Sequence, residues 1–219
     1  MPEVKNNKEE MPLNHYHEEF CGIDPVERAK ALDISFEDGR FSLKMFNVPY
    51  TVTYPDGELA SEDPYAPALT DAYAQILILR YLIYGQALPH TGQFKTFREL
   101  PWGDVYLTPF TGRCIKRAAF TFGNKLESFK KSAEALGGIP MPHGDAGYEF
   151  PYLGDYILRM YIWYGDDEFP PNAQILFSEN FANGFSAEDS VVSAELLIKA
   201  LKTKESLFKE ENKHGRLQI

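Results

Sequence analysis

Cysteine is nearly absent from this chain: Cys21 and Cys114 are the only two in 219 residues. Two cysteines so far apart make neither a disulfide framework nor an iron–sulfur motif, and a cytoplasmic chain with free thiols is the expected setting. Positive charge is scarce as well. Lys and Arg number 22 against 32 Asp and Glu, a formal net charge of −10. Nucleic-acid binding rests on cations that neutralise phosphates, so neither nucleic acid nor an anionic membrane surface is an expected partner. No apolar run approaches the roughly 18 residues that cross a bilayer, and "MPEVKNNKEEMPLNHYHEEF" lacks the apolar stretch of a secretory signal. Also missing are a Gly-Lys-Ser/Thr phosphate loop, a paired-glycine dinucleotide turn, a nucleophile elbow and a two-histidine zinc helix. No cofactor and no reaction can be read from motifs.

Apolar and aromatic residues are plentiful. Hydrophobic residues make up 44% of the chain, with 16 Phe and 13 Tyr. A chain of this length buries about 70% of its unfolded surface, so it needs no disulfide or metal to fold. Tyrosine joins an apolar ring to a hydroxyl that needs a partner, which suits cores and half-wet clefts. The organisation expected is a loose N-terminal arm over 1–22, one domain over 23–203 and a charged C-terminal tail over 204–219.

In "IDPVERAKALDI", Asp24 as N-cap, Pro25 at the first helical position and Glu27 in a capping box predict a short helix ending near Leu32. Ile34, Phe36, Phe41, Leu43 and Met45 alternate with polar residues around the turn signal "EDG". "YTVTY" follows and closes at "PDG", so about three antiparallel strands are expected. Thr70 can cap a helix that Gly85 ends, and between Ala72 and Tyr84 the chain is apolar on almost every face, which predicts a buried central helix. Strand signals return around "PWGD". "FTFGNKLESFKKSAEALGG" has helical spacing at Leu126, Phe129, Ala133 and Leu136, with Asn124 and Glu127 as a capping box and Gly137 as the stop. "YILRMYIWY" and "AQILF" read as paired strands. "FSAEDSVVSAELLIKALK" reads as an amphipathic helix capped by Ser186. Strands and helices mix without βα alternation. The expected class is therefore α+β, with antiparallel sheet or sheets packed against the central helix and two or three further helices.

Several of these stretches together carry a resemblance. In order, "FSLKMFNVPYTVTYPDGEL", "QILILRYLIYG", "FRELPWGDVY", "FGNKLESFKKSAEALGG" and "WYGDDEFPPNAQILFSEN" resemble the family called domain of unknown function 3786, from about Pro25 to Leu201. The run Trp163 to Pro171 is the most specific piece. The family has no assigned reaction. Its occurrence in anaerobes, with some members carrying a cysteine-rich iron–sulfur module, implies one-carbon or corrinoid metabolism. This chain lacks such a cluster motif, so an iron–sulfur or corrinoid group would sit on a partner protein.

Five places carry candidate chemistry. In "GDDEFPPN", Asp166 and Glu168 point to one side of an extended segment and can converge on a metal or proton. The same residues make a turn in which Asp166 bonds forward to the backbone, Phe169 packs, and Pro170 and Pro171 stiffen the return. In "NHYHEEFC", His15 and His17 share one face if the segment is extended, with Cys21 beyond. Their spacing matches no closed zinc pattern, so no metal site is assigned. In "TGRCIKRAAF", Arg113, with Lys116 and Arg117, can hold an anion or pair with surface acids. In "MPHGDAGYEFPY", His143 and Asp145 can form an acid/base couple or a turn. Trp163 and Trp102 are candidate contact aromatics.

The function favoured by this reading is a non-catalytic cofactor- or partner-binding accessory domain in anaerobic metabolism. The alternatives are a small-molecule enzyme using Asp166 and Glu168, with or without a metal, and a protein–protein module built on exposed aromatics.

Overall fold

A computed structural model describes residues 7–63 and 66–215, with side chains described for 12–63 and 66–208. Two antiparallel sheets are joined and flanked by helices, so the class is α+β.

The first sheet has the order β1-β2-β3-β4, from strands Ser35–Glu37, Arg40–Met45, Val48–Thr53 and Leu59–Ala60. Asp38 and Gly39 both have positive φ, as a two-residue hairpin turn requires. In β2 the burial alternates, and Phe41, Leu43 and Met45 face the core opposite Val52, Tyr50 and Val48. This is the pattern that the alternating apolar positions predict.

The second sheet has the order β5-β9-β8-β7-β6, from strands Phe94–Thr96 (β5), Ile139–Met141 (β6), Ala146–Pro151 (β7), Ile157–Trp163 (β8) and Asn172–Ser178 (β9). Of its three interior strands, β8 and β9 are expected from the sequence and β7 is not. The edge strands are short and broken by Pro140 or preceded by Gly92, which hides their alternation.

Helix α1 (Asn7–Cys21) packs on α3 (Ala72–Tyr84), and α2 (Pro25–Leu32) packs on α3 from another side. Asp24 caps α2 by accepting from the backbone N–H of Val26 (2.9 Å) and Glu27 (3.1 Å). Leu77, Ile78, Leu79 and Leu82 bury α3, which is the expected central helix, with Asp71 rather than Thr70 as its cap. A continuous helical stretch follows: α4 (Gly103–Phe110), a π-helical segment over Thr111–Lys116 and α5 (Arg117–Phe122). Pro109 lies inside α4 and lacks the N–H that the regular ladder needs, and the widened turn begins two residues later. Helices α6 (Leu126–Ala135), α7 (Phe181–Gly184) and α8 (Ala187–Gly215) complete the fold. Helix α8 opens with Ser186 and Asp189 in a reciprocal cap and packs on α3, α4, α6 and the π segment. Among the described residues no helix is long and apolar enough to cross a membrane.

Four local expectations are corrected. Residues 7–21 of the expected loose arm are helical. Leu13 and Tyr16 pack against the core, and Phe20 is fully buried against the rings of Phe41 and Tyr54. Three apolar residues at helical spacing suffice, although Pro12 and seven charged or amide neighbours disguise them. Residues 1–6 lie outside the described residues. The expected tail continues α8 to Gly215, and 216–219 lie outside the described residues. "PWGD" begins α4 rather than a strand, because Trp102 takes a left-handed φ of 62° and turns the chain into the helix. Lys125, not Asn124, stands at the start of α6, with no side-chain cap bond.

Candidate functional site

Strand β8 ends at Trp163, and the chain returns through residues 164–171 into β9. Gly165 is buried at the start of this turn. A Cβ there would lie 2.5 Å from Pro171 Cδ and 2.6 Å from Pro171 N, so the turn closes only on glycine. Asp166 Oδ1 accepts from the backbone N–H of Glu168 (2.9 Å) and Phe169 (2.7 Å), and the Asp166 N–H donates to the Phe169 carbonyl (2.9 Å). The carboxylate is thus part of the backbone turn. Glu168 is exposed beside it.

His143 and Asp145 lie in the turn that joins β6 to β7, and this turn meets the other. The Asp145 N–H donates to the Ile162 carbonyl (2.9 Å), and Asp145 Oδ2 accepts from the Tyr164 N–H (2.7 Å). Asp145 therefore extends the β7–β8 ladder by one step with its side chain. His143 stacks on Tyr161, with ring centres 5.3 Å apart, instead of facing Asp145. Of the two arrangements open to this pair, an acid/base couple or a turn, Asp145 makes the turn.

The π segment and α5 supply the opposite wall. Gly123, at the end of α5, lies flush on the turn: a Cβ there would be 2.2 Å from Pro171 Cβ. Between the two walls runs a groove of about 580 Å³. Ile115, Lys116, Ala119 and Phe120 line one side. Trp163, Tyr164, Phe169, Pro170, Pro171 and Asn172 line the other. Phe120 is 70% exposed, Phe169 67% and Tyr164 57%. The expected packing of Phe169 is therefore corrected: its ring stands at the groove. Hydrophobic periodicity does not mark Phe120, because an exposed and a buried phenylalanine look alike in sequence.

Arg113 does not face this groove as an anion holder. Its Nε and Nη2 donate to Glu195 Oε1 (3.1 Å) and Oε2 (2.8 Å), and Nη1 donates to Glu188 Oε1 (2.7 Å). This fork raises the Arg113 pKa above its ordinary value, chiefly through the Glu195 bond. The residue clamps the π segment to α8. Beside it, Cys114 is fully buried with Sγ 3.5 Å from the Val191 carbonyl oxygen, and burial pushes its thiol pKa well up. It is an inert core thiol.

His15 and His17 do not share a face. On a helix, residues two apart point in nearly opposite directions. His15 pairs with Glu19 (3.3 Å), and His17 Nε2 contacts the Asp56 carbonyl oxygen (2.8 Å). Among the described residues no group of three or more His, Cys, Asp or Glu side chains is placed to hold a metal ion.

A second hollow, of about 670 Å³, lies at the first sheet and is lined in part by Ser42, Thr51, Ser61, Lys44, Glu62 and Tyr152. It is larger than the aromatic groove but contains none of the candidate residues. Its Ser and Thr side chains alternate with buried apolar residues, as a solvated sheet face does. The aromatic groove is the stronger candidate, because it gathers exposed rings that the fold itself leaves uncovered.

Comparison with known proteins adds one finding. No curated protein and no solved structure matches this chain. A family model described as "Domain of unknown function (DUF3786)" matches residues 24–200, from the N-cap of α2 into α8, and covers the strands of both sheets and the aromatic groove. The chain belongs to the DUF3786 family.

Proposed function

We propose that this chain is a non-catalytic binding domain whose working surface is the aromatic groove between α5 and the β8–β9 turn. One observation carries the reading: Phe120, Tyr164 and Phe169 stand exposed around one hollow, while the nearby carboxylates of Asp166 and Asp145 hold backbone N–H groups. Exposed rings gathered at a concave site gain free energy when covered, at roughly 25 cal/mol per Å² of apolar surface removed from water. The occupant is a partner-protein segment or cofactor with an apolar, flat face. Lys116 at the rim favours a partially anionic one. An iron–sulfur or corrinoid protein as that partner, an anaerobic setting and a cytoplasmic location follow from the family likeness and the two unpaired cysteines alone.

The carboxylate-enzyme alternative is weaker. Asp166 Oδ1 already accepts two N–H bonds, and among the described residues no histidine is bonded to Glu168. Native mass spectrometry on protein purified without oxygen tests the proposal. A species that travels with the wild-type chain and is lost in Phe120→Ala and Phe169→Ala, at unchanged melting temperature, supports it. Retention of that species in both variants, or turnover of a small substrate that vanishes on Glu168→Gln, overturns it.

A further inference from the structure

The aromatic groove has a one-sided inventory of hydrogen-bonding side chains. Trp163 brings an indole N–H, Tyr164 a hydroxyl, Lys116 an ammonium and Asn172 an amide N–H₂. Among the described residues none of these donors is bonded to another part of the chain. The one side-chain carbonyl oxygen in the lining, Asn172 Oδ1, already accepts the Ala173 N–H (2.8 Å). Apart from the Tyr164 hydroxyl, which can do both, the side chains left to bond a ligand therefore only donate. The walls are set before any ligand arrives. Gly123 lies flush on Pro171, Asp145 Oδ2 holds the Tyr164 N–H (2.7 Å), and Asp166 closes the turn. Phe120, Tyr164 and Phe169 are each more than half exposed, so the hollow is shallow, whereas a small-molecule site buries most of its ligand.

We propose that the groove takes a proline-rich protein segment in the polyproline II conformation, a choice that rests on reading the groove as a binding surface. Three kinds of backbone could lie there. An α-helix spends its carbonyl oxygens within itself, so its backbone leaves the donors of the groove unanswered. A β-strand brings N–H groups as well as carbonyls, and the lining side chains offer those N–H groups only the Tyr164 hydroxyl. A polyproline II segment has no internal hydrogen bonds, and proline has no N–H, so it presents carbonyl oxygens alone. This is the complement of a rim that donates. Its pyrrolidine rings offer flat apolar faces to Phe120, Phe169 and Trp163, which is how aromatic-lined grooves hold such segments. The segment is already extended when free, so it loses little conformational freedom on docking, as a shallow groove with little area to cover requires. Lys116 pairs with an acidic residue beside the prolines.

The test uses the full chain with isotope-labelled nitrogen and unlabelled decaproline as probe, followed by nuclear magnetic resonance. Each tryptophan gives one indole N–H signal, and Trp102→Phe, outside the groove, assigns the two. Decaproline should move the Trp163 signal saturably and leave the Trp102 signal in place, while a Gly-Ser peptide of equal length moves neither. Phe120→Ala and Phe169→Ala should each weaken binding by about tenfold or more, at unchanged melting temperature. Trp163→Phe keeps a ring and removes the indole donor, and should weaken binding about fivefold by calorimetry. A Trp163 signal that stays put at about 1 mM decaproline overturns the proposal, and so does a shift that survives both phenylalanine variants. An amphipathic helical peptide that moves the Trp163 signal when decaproline does not would also overturn it. The native mass measurement separates this failure from that of the groove itself. A bound species still lost in Phe120→Ala and Phe169→Ala leaves the groove a binding surface with another occupant, and a species retained in both removes the two readings together.

Discussion

The turn at 165–171 and the helix at 7–21 are opposite cases. The turn is crowded with carboxylates and looks reactive. In the fold, Asp166 is bound to two backbone N–H groups, and two aromatic rings, Tyr164 and Phe169, stand outward beside the exposed carboxylates. The helix segment looks loose and polar. In the fold it is pinned by Phe20 and Tyr54, and its exposed groups include the Cys21 thiol, beside a half-buried imidazole. Short polar side chains in a tight turn satisfy their own backbone first, so they are poor markers of a site. A polar segment with three apolar residues at helical spacing becomes rigid, and its surface groups then acquire fixed neighbours.

The largest test of this contrast is Phe20→Ala. Removing a fully buried ring should cost about 3–5 kcal/mol, measured by urea unfolding, if α1 is part of the core. A cost below about 0.5 kcal/mol would return residues 7–21 to a loose arm. Gly165→Ala comes next. Its Cβ would press on the Pro171 backbone, and overpacking of this kind costs about 1–3 kcal/mol. Asp145→Ala removes the bond to the Tyr164 N–H and should cost about 1 kcal/mol. Asp167→Asn should be silent in stability, since no bond to its side chain holds the turn and surface changes stay within about 0.5 kcal/mol.

Much of the fold was legible in the sequence. The α2 cap, the first hairpin, α3, α6, the β8–β9 pair and the start of α8 all follow from period, caps and turn residues. The parts that were hidden share a cause: tertiary contact overrides a weak local signal. Helix α4 begins at a Pro-Trp-Gly turn because Gly103 permits an approach to the Phe97 carbonyl that a Cβ would block at 2.0 Å. Strands β5 and β6 are three-residue edges that pair only because β9 and β7 are beside them. The site was legible in half. The run Trp163–Pro171 marks one wall of the groove, but the opposite wall comes from Ile115 and Phe120, and nothing in the local sequence reveals that Phe120 is exposed.

The central claim is a division of labour within one turn, in which Asp166 builds it and Phe169 is offered to a partner. Thermal melts of Asp166→Ala and Phe169→Ala, each with the bound mass recorded, test it most directly. Asp166→Ala should lose about 1 kcal/mol, a drop of roughly 2–4 °C for a chain of this size. Phe169→Ala should stay within about 0.5 kcal/mol of wild type while losing the bound species. The contradicting result is the reverse: a fall of several kcal/mol for Phe169→Ala, with Asp166→Ala and Glu168→Ala both raising the midpoint and releasing a bound ion, as converging carboxylates would.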